Sequence, residues 1–211
     1  MDGSIGLLGA GGQAREVEAF CRAQGKDIAF TAVSGDYIDR SDPKQIDIKQ
    51  PSDEQERVAV IAAVGSAALR KQLIETWPGS EYATVLTPES YIDPSSSVDV
   101  GSLVAPGAVI TTNVRIGKHV IINIGVTVSH DCVLGDYSTL SPGAHLAGAV
   151  TIGEGVFVGI GATVKNGARI ADGVVIGAGA VVLNDIDEEN AVYAGVPAKK
   201  IGQNDGWLSK I

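Results

Sequence analysis

From Ile92 onward the chain keeps a period of six. Ile92, Val98, Val104, Ile110, Ile116, Ile122, Val128, Leu134, Leu140, Leu146, Ile152, Val158, Val164, Ile170, Ile176 and Val182 are all Ile, Val or Leu, sixteen positions without one slip. Neither the period of an α-helix nor the two-residue alternation of a strand generates that spacing. It is the spacing of a hexapeptide parallel β-helix: each six-residue unit forms one side of a triangular coil and turns its guide residue inward. Coils stack at about 4.8 Å, so the register predicts roughly five coils and a prism on the order of 25 Å tall. A small or β-branched residue recurs two places before the guide, Cys132 among them, and Gly117, Gly135, Gly153, Gly159 and Gly177 directly follow it. These glycines are expected at the corners, because glycine accepts positive φ.

The totals exclude several partners. The net charge is −9 with no basic cluster, which disfavours nucleic acid and anionic membrane. The longest apolar run, from Gly173 to Leu183, is too short to span a bilayer. The N-terminus enters a strand-like segment almost at once, without a charged leader or cleavage site. Two cysteines make no disulfide framework. A cytoplasmic protein with reduced thiols is expected, with Cys21 on an apolar helix face and Cys132 inside the prism.

Residues 1–85 read as a small Rossmann-like βαβ domain. Ile5 to Leu8 is a buried strand, Gly9 to Ala14 a glycine turn, and Arg15 to Gln24 a helix. Gly9, Gly11 and Ala14 match the form that brings backbone N–H groups to an anion at a helix N-terminus. Strands are expected at Ile28 to Val33, Val58 to Val64 and Ala83 to Leu86, and a helix at Ala67 to Trp77, with the polar stretch from Asp39 to Arg57 mostly loop. Such a unit suits a mononucleotide-sized ligand better than a dinucleotide. Residues 86–185 form the all-β prism. Residues 186–211 form a C-terminal extension with a last strand at Ala191 to Ala194.

Chemistry has few candidates. His119, His130 and His145 are spaced by 11 and 15 and occupy different places in the repeat, so no metal site is expected. His130 stands near a corner, facing outward beside Asp131, as a general base does. No Gly-x-Ser-x-Gly elbow supports a covalent hydrolase. Lys165, Lys199 and Lys200 are candidate contacts for phosphates.

Four segments together resemble a family: Gly9-Ala10-Gly11-Gly12-Gln13-Ala14-Arg15, Ser129-His130-Asp131-Cys132-Val133-Leu134-Gly135-Asp136, Leu140-Ser141-Pro142-Gly143-Ala144 and Gly195-Val196-Pro197-Ala198-Lys199. They are similar to bacterial sugar acetyltransferases of the sialic-acid O-acetyltransferase and bacillosamine-pathway N-acetyltransferase type, over nearly the whole chain. The resemblance implies a left-handed β-helix, an exception to the right-handed crossover rule, and a homotrimer with active sites between adjacent prisms. It implies His130 as general base, Asp131 tuning it, and Asn123 nearby. Acetyl-CoA is expected along Ile160 and Ala178 toward Gly195, Pro197 and Lys199. Thr139 stands where the family usually has a His that contacts acetyl-CoA, and its hydroxyl can donate one hydrogen bond there. The nucleotide sugar is expected at Gly11, Gly12, Gln13, Asp36 and Gly65. Ser34-Gly35-Asp36 replaces the family's consecutive acids, which leaves the nucleobase open among UDP, dTDP and GDP.

The implied activity is acetyl-CoA-dependent N-acetylation of the C4 amine of a nucleotide-linked 4-amino-4,6-dideoxy sugar in surface polysaccharide synthesis, by direct transfer. Two alternatives stand beside it. One is O-acetylation of sialic acid or another sugar hydroxyl; the other is a non-catalytic nucleotide-sugar-binding protein.

Overall fold

The computed structural model describes residues 3–207; residues 208–211 of the expected C-terminal extension lie outside the described residues. The chain opens with β1 (Ile5–Leu8), α1 (Gly12–Ala23) and β2 (Ile28–Val33), then β3 (Gln45–Asp47), α2 (Asp53–Glu56), β4 (Val60–Ala62) and α3 (Ala67–Thr76). The four strands pair in parallel in the order β3-β2-β1-β4. The order reverses between β1 and β4, so the loops after these two strands open on one crevice, where open α/β sheets hold ligands. The expected loop between Asp39 and Arg57 contains β3 and α2. A capping box starts α2: Gln55 N donates to Ser52 Oγ, and Ser52 N donates to Gln55 Oε1 at 2.8 Å.

The prism begins with β5 (Val85–Leu86), which pairs with Leu103–Val104 and extends the six-residue register back to Leu86. Sixteen two-residue strands follow, from β6 (Tyr91–Ile92) to β21 (Val181–Val182), each ending on a guide residue. They form three parallel faces, of which the eight-stranded one ends in β22 (Ala191–Ala194) and an unforeseen antiparallel partner, β23 (Lys199–Gln203). The architecture is an α/β domain followed by a left-handed parallel β-helix. Guide residues from Val104 to Val182 are at most 3% exposed. Burying such side chains contributes about 1.5–3 kcal/mol each.

The corners correct one expectation. Left-handed φ falls three residues after the guide, at Gly101, Gly107, Gly125, Gly143, Gly155, Gly161, Gly167, Gly173 and Gly179. Asn113, His119, Asp131, Tyr137 and Ala149 adopt it at the same place in the repeat, at about 1–2 kcal/mol each. The glycines that directly follow a guide have another reason. A Cβ on Gly135 would lie 2.6 Å from the Gly153 carbonyl carbon, and one on Gly159 2.6 Å from Ala178 N. There the next coil approaches too closely for a side chain.

The α/β domain docks on one prism face. Val85, Leu103 and Ile121 precede their guides and point outward, yet they are buried in one cluster with Ile5, Leu7, Val17 and Cys21. At the same place in the repeat on other faces, Val109 and Val133 are 38% and 40% exposed. Thr139 continues the docking column one coil further along and is 3% exposed.

His119 is buried in this junction, edge-on to Tyr82 and stacked on Tyr137. Burial, followed by the positive charge of Arg70, pushes its pKa down to about 4. The unfolded chain, with an ordinary imidazole near 6.5, therefore binds more protons between these values. His119's contribution to stability is complete above about pH 6.5 and is lost as pH falls toward 4, on the order of 2 kcal/mol once partial solvent screening is allowed for. His119→Phe should remove this acid sensitivity. Thermal melts at pH 7 and pH 4.5 test it: the drop in Tm should shrink in the variant, and an equal drop in both proteins would assign the effect to other groups.

Candidate active site

The crevice at the reversal of strand order holds a cleft of about 380 Å³ lined by Gly11, Gly12, Gln13, Ala63, Val64, Gly65, Ser66 and Leu69. Two helices begin at its rim. Gly11 precedes α1, and Ser66 caps α3 by accepting a hydrogen bond from Leu69 N at 3.2 Å. Helix N-termini present N–H groups and partial positive charge, so their convergence suits a diphosphate. A second cleft of about 590 Å³ adjoins it, lined by Gly12, Gln13, Arg15, Glu16, Ala19 and Asn123. Gln13 belongs to both clefts. Asn123 Nδ2 donates to Gln13 Oε1 at 3.5 Å, while Gln13 Nε2 is enclosed without a hydrogen-bond partner among the described residues. The structure thus brings Gly11, Gly12, Gln13, Gly65 and Asn123 together where the α/β domain meets the prism. Asp36 lies apart, exposed in a short 3-10 turn after β2 and not among the residues lining either cleft.

His130 occupies another corner. It follows Thr127–Val128 on the six-stranded face, whereas Asn123 follows Ile121–Ile122 on the eight-stranded face. One side of the prism separates them. His130 Nδ1 lies 2.8 Å from Asp131 Oδ2, and Asn113 Nδ2 donates to Asp131 Oδ1 at 3.2 Å. These two partners, His130 first, hold the Asp131 carboxyl below its ordinary pKa. An ionised Asp131 accepts the Nδ1 proton and leaves the lone pair on Nε2. The left-handed φ of 60° at Asp131 turns this carboxylate toward the ring. Asn113 was not legible as a partner, because it sits one coil away, 18 residues before Asp131. The His130 side chain is 62% exposed, so Nε2 is open to a bound amine.

A ridge of apolar residues, exposed except for the half-buried Pro142, climbs the corner above Asn123. Ile124, Pro142, Ile160 and Ala178 stack through hydrogen bonds from Gly143 N, Gly161 N and Gly179 N to the carbonyls of Ile124, Pro142 and Ile160 at 2.8–3.0 Å. The ridge reaches Gly195, which accepts from Val181 N at 3.1 Å, with Val196, Pro197 and Lys199 exposed beyond it. An apolar edge ending in an exposed lysine offers a thioester chain and its phosphates a surface. Lys200 pairs with Glu188 at 2.6 Å, and Lys165 lies in a shallow pocket with Asp185. The Thr139 hydroxyl is committed elsewhere: it donates to Gly65 O at 3.1 Å and accepts from Arg70 Nη2 at 2.9 Å. Its one hydrogen is therefore not directed at a thioester, as the family position implied.

Both cysteines are free and buried, and Cys132 Sγ points to the Ala147 carbonyl. Among the described residues no three His, Cys, Asp or Glu side chains converge on a metal-sized site, and no helix is long and apolar enough to cross a membrane.

The family pattern described as bacterial transferase hexapeptide (six repeats) matches residues 113–148 and 149–184. GDP-perosamine N-acetyltransferase of Escherichia coli O157:H7 is 33% identical over 81 residues; the match spans 37% of this chain and 37% of that protein. Two solved structures align over almost the whole length. A variant of perosamine N-acetyltransferase from Caulobacter crescentus, in complex with CoA and GDP-perosamine, superposes with a TM-score of 0.86 at 31% identity, covering 95% of this chain and 98% of that one. The acetyltransferase domain of PglB from Neisseria gonorrhoeae FA1090 gives 0.81 at 30% identity, over 94% and 100%. With the hexapeptide prism, the glycine-turn domain and the paired His130 and Asp131 in place, the chain belongs to the hexapeptide-repeat family of sugar N-acetyltransferases.

Proposed function

We propose that this protein transfers the acetyl group of acetyl-CoA to the C4 amine of a nucleotide-linked 4-amino-4,6-dideoxy sugar destined for surface polysaccharide, and that it works as a cytoplasmic homotrimer. The observation that carries the reading is His130: an exposed imidazole whose Nδ1 is held by Asp131, leaving Nε2 to take a proton. The amine nitrogen attacks the thioester carbonyl, the amide N–C bond forms, the C–S bond breaks and CoA leaves as the thiol. His130 takes the proton that the amine sheds and hands it to the departing sulfur, help worth about 10²–10⁴-fold. Gly11, Gly12 and Gly65 offer backbone N–H groups to the diphosphate, while Gln13 and Asn123 bound the sugar. Ile160, Ala178, Gly195, Pro197 and Lys199 carry the CoA chain. The placement of Asn123 and His130 on two corners favours assembly of the site between copies, the cleft from one prism and the base from its neighbour.

Steady-state kinetics with acetyl-CoA test the acceptor. GDP-, UDP- and dTDP-linked 4-amino sugars, the free amino sugar and sialic acid are compared. The preferred nucleotide-linked sugar should exceed the free sugar by about 10²-fold or more in kcat/KM, because remote binding energy positions the amine. Acetylation of sialic acid alone would establish the O-acetyltransferase alternative. Nucleotide-sugar binding without any transfer would establish the non-catalytic one.

A further inference from the structure

Arg70 is fully buried and, among the described residues, is in no ion pair. Burial pushes its guanidinium down to about 9, which still leaves it charged at neutral pH. All three of its nitrogens donate to neutral acceptors on two domains. Toward the α/β domain, Nη1 reaches Val64 O at 2.8 Å and Gly65 O at 3.2 Å. Toward the prism, Nε reaches His119 O at 2.8 Å, and Nη2 reaches Tyr137 O, Ser138 O at 3.1 Å and Thr139 Oγ1 at 2.9 Å. The Thr139 hydroxyl passes its own hydrogen on to Gly65 O at 3.1 Å. One guanidinium and one hydroxyl therefore tie two successive coils of the prism to the loop that forms a wall of the first cleft.

We propose that Arg70 and Thr139 are positioning residues for the nucleotide. Together they fix the loop from Ala63 to Ser66 and its register on the prism. Val64 and Gly65 line the cleft and Arg70 does not. A trans peptide sets its C=O and N–H on opposite sides, so drawing the Val64 carbonyl back to the guanidinium turns the Gly65 N–H toward the cleft, where a diphosphate oxygen can accept it. Lysine cannot replace this fork: a single ammonium does not span acceptors on two domains. The assignment gives Thr139 a part in nucleotide binding and none in acetyl-CoA binding. It rests on the reading of the cleft as the nucleotide site.

The test separates the two ideas. GDP, UDP and dTDP are titrated calorimetrically into the wild-type protein, and the tightest binder is then titrated into Thr139→Val, Thr139→Ser and Arg70→Lys, each first checked by circular dichroism. Thr139→Val keeps the side-chain shape and removes the hydroxyl; it should weaken the nucleotide by roughly fivefold to tenfold. Thr139→Ser should restore it to within about twofold, and Arg70→Lys should weaken it more than Thr139→Val does. In steady-state assays Thr139→Val should raise KM for the nucleotide sugar and leave KM for acetyl-CoA in place. Unchanged nucleotide affinity in a folded Thr139→Val, or a rise in KM for acetyl-CoA alone, overturns the assignment while the proposed function stands. A wild-type protein that binds none of the three nucleotides removes both.

Discussion

His130→Ala lowers kcat by about 10²–10⁴-fold and leaves the protein folded. The two halves of this expectation come from different features of the side chain. Among the described residues its Nδ1 is the one ring nitrogen with a protein partner, Asp131, so Nε2 is available to the amine. The side chain is 62% exposed and fills no core, so truncating it creates no cavity. No other histidine can take over. His119 is buried between Tyr82 and Tyr137, and His145, one coil along the same face as the strand before His130, has its Nδ1 engaged with Thr127 Oγ1 at 2.8 Å. An amine that is protonated in solution then has no positioned acceptor for the proton it must shed. The measurement is kcat at saturating acetyl-CoA and nucleotide sugar, with circular dichroism as the control for folding. Turnover within twofold of wild type would remove His130 from the mechanism.

Gly148→Ala is the second large effect, and it removes no catalytic atom. Gly148 lies one coil beyond His130, where Ala149 N donates to the His130 carbonyl at 2.8 Å. A Cβ built on Gly148 falls 2.5 Å from both Cε1 and Nε2 of the imidazole. The backbone of Gly148 is not in the left-handed region, so alanine there brings no φ strain. The glycine is needed for the ring. An exposed ring can swing aside at little cost in stability, but a shift of about 1 Å in a reacting group lowers turnover by up to about 10²-fold. Gly148→Ala should therefore lower kcat by roughly 10–10²-fold with Tm unchanged. On a His130→Ala background it should cost almost nothing more, because both substitutions act through one ring. A wild-type kcat in the single variant would show that the ring tolerates displacement.

The prism was legible because its core is a strict one-dimensional code: an inward aliphatic residue at every sixth position permits one architecture. The sequence pattern misplaced the reason for its glycines. Those after the guide serve close approach between coils, whereas positive φ falls two residues later, where Asn113, His119, Asp131, Tyr137 and Ala149 hide a glycine pattern. The glycine turn and Gly65 line one cleft, since the turns after neighbouring parallel strands meet there. Asp36 was carried over from the same family pattern; it stands beyond the end of β2 at Val33, in the exposed 3-10 turn Gly35–Tyr37, and is not among the residues that line the two clefts. Arg70 left no local trace. Its partners lie 49 to 69 residues away in the prism, and an arginine on a short helix looks like a solvated charge. The docking column could have been found by its 18-residue step through Val85, Leu103, Ile121 and Thr139. However, the exposed Val109 and Val133 share that place in the repeat, so hydrophobicity alone does not pick out the covered face.

The central claim is that the acetyl group ends on the amine of a nucleotide-linked sugar, with His130 as proton acceptor. The direct measurement is the NMR spectrum of the product formed from acetyl-CoA and a nucleotide-linked 4-amino-4,6-dideoxy sugar, by wild-type protein and by His130→Ala in parallel. The wild type should form an acetamido group at C4 that is almost absent with the variant. An O-acetyl ester, or equal formation of the amide by both proteins, would contradict that claim.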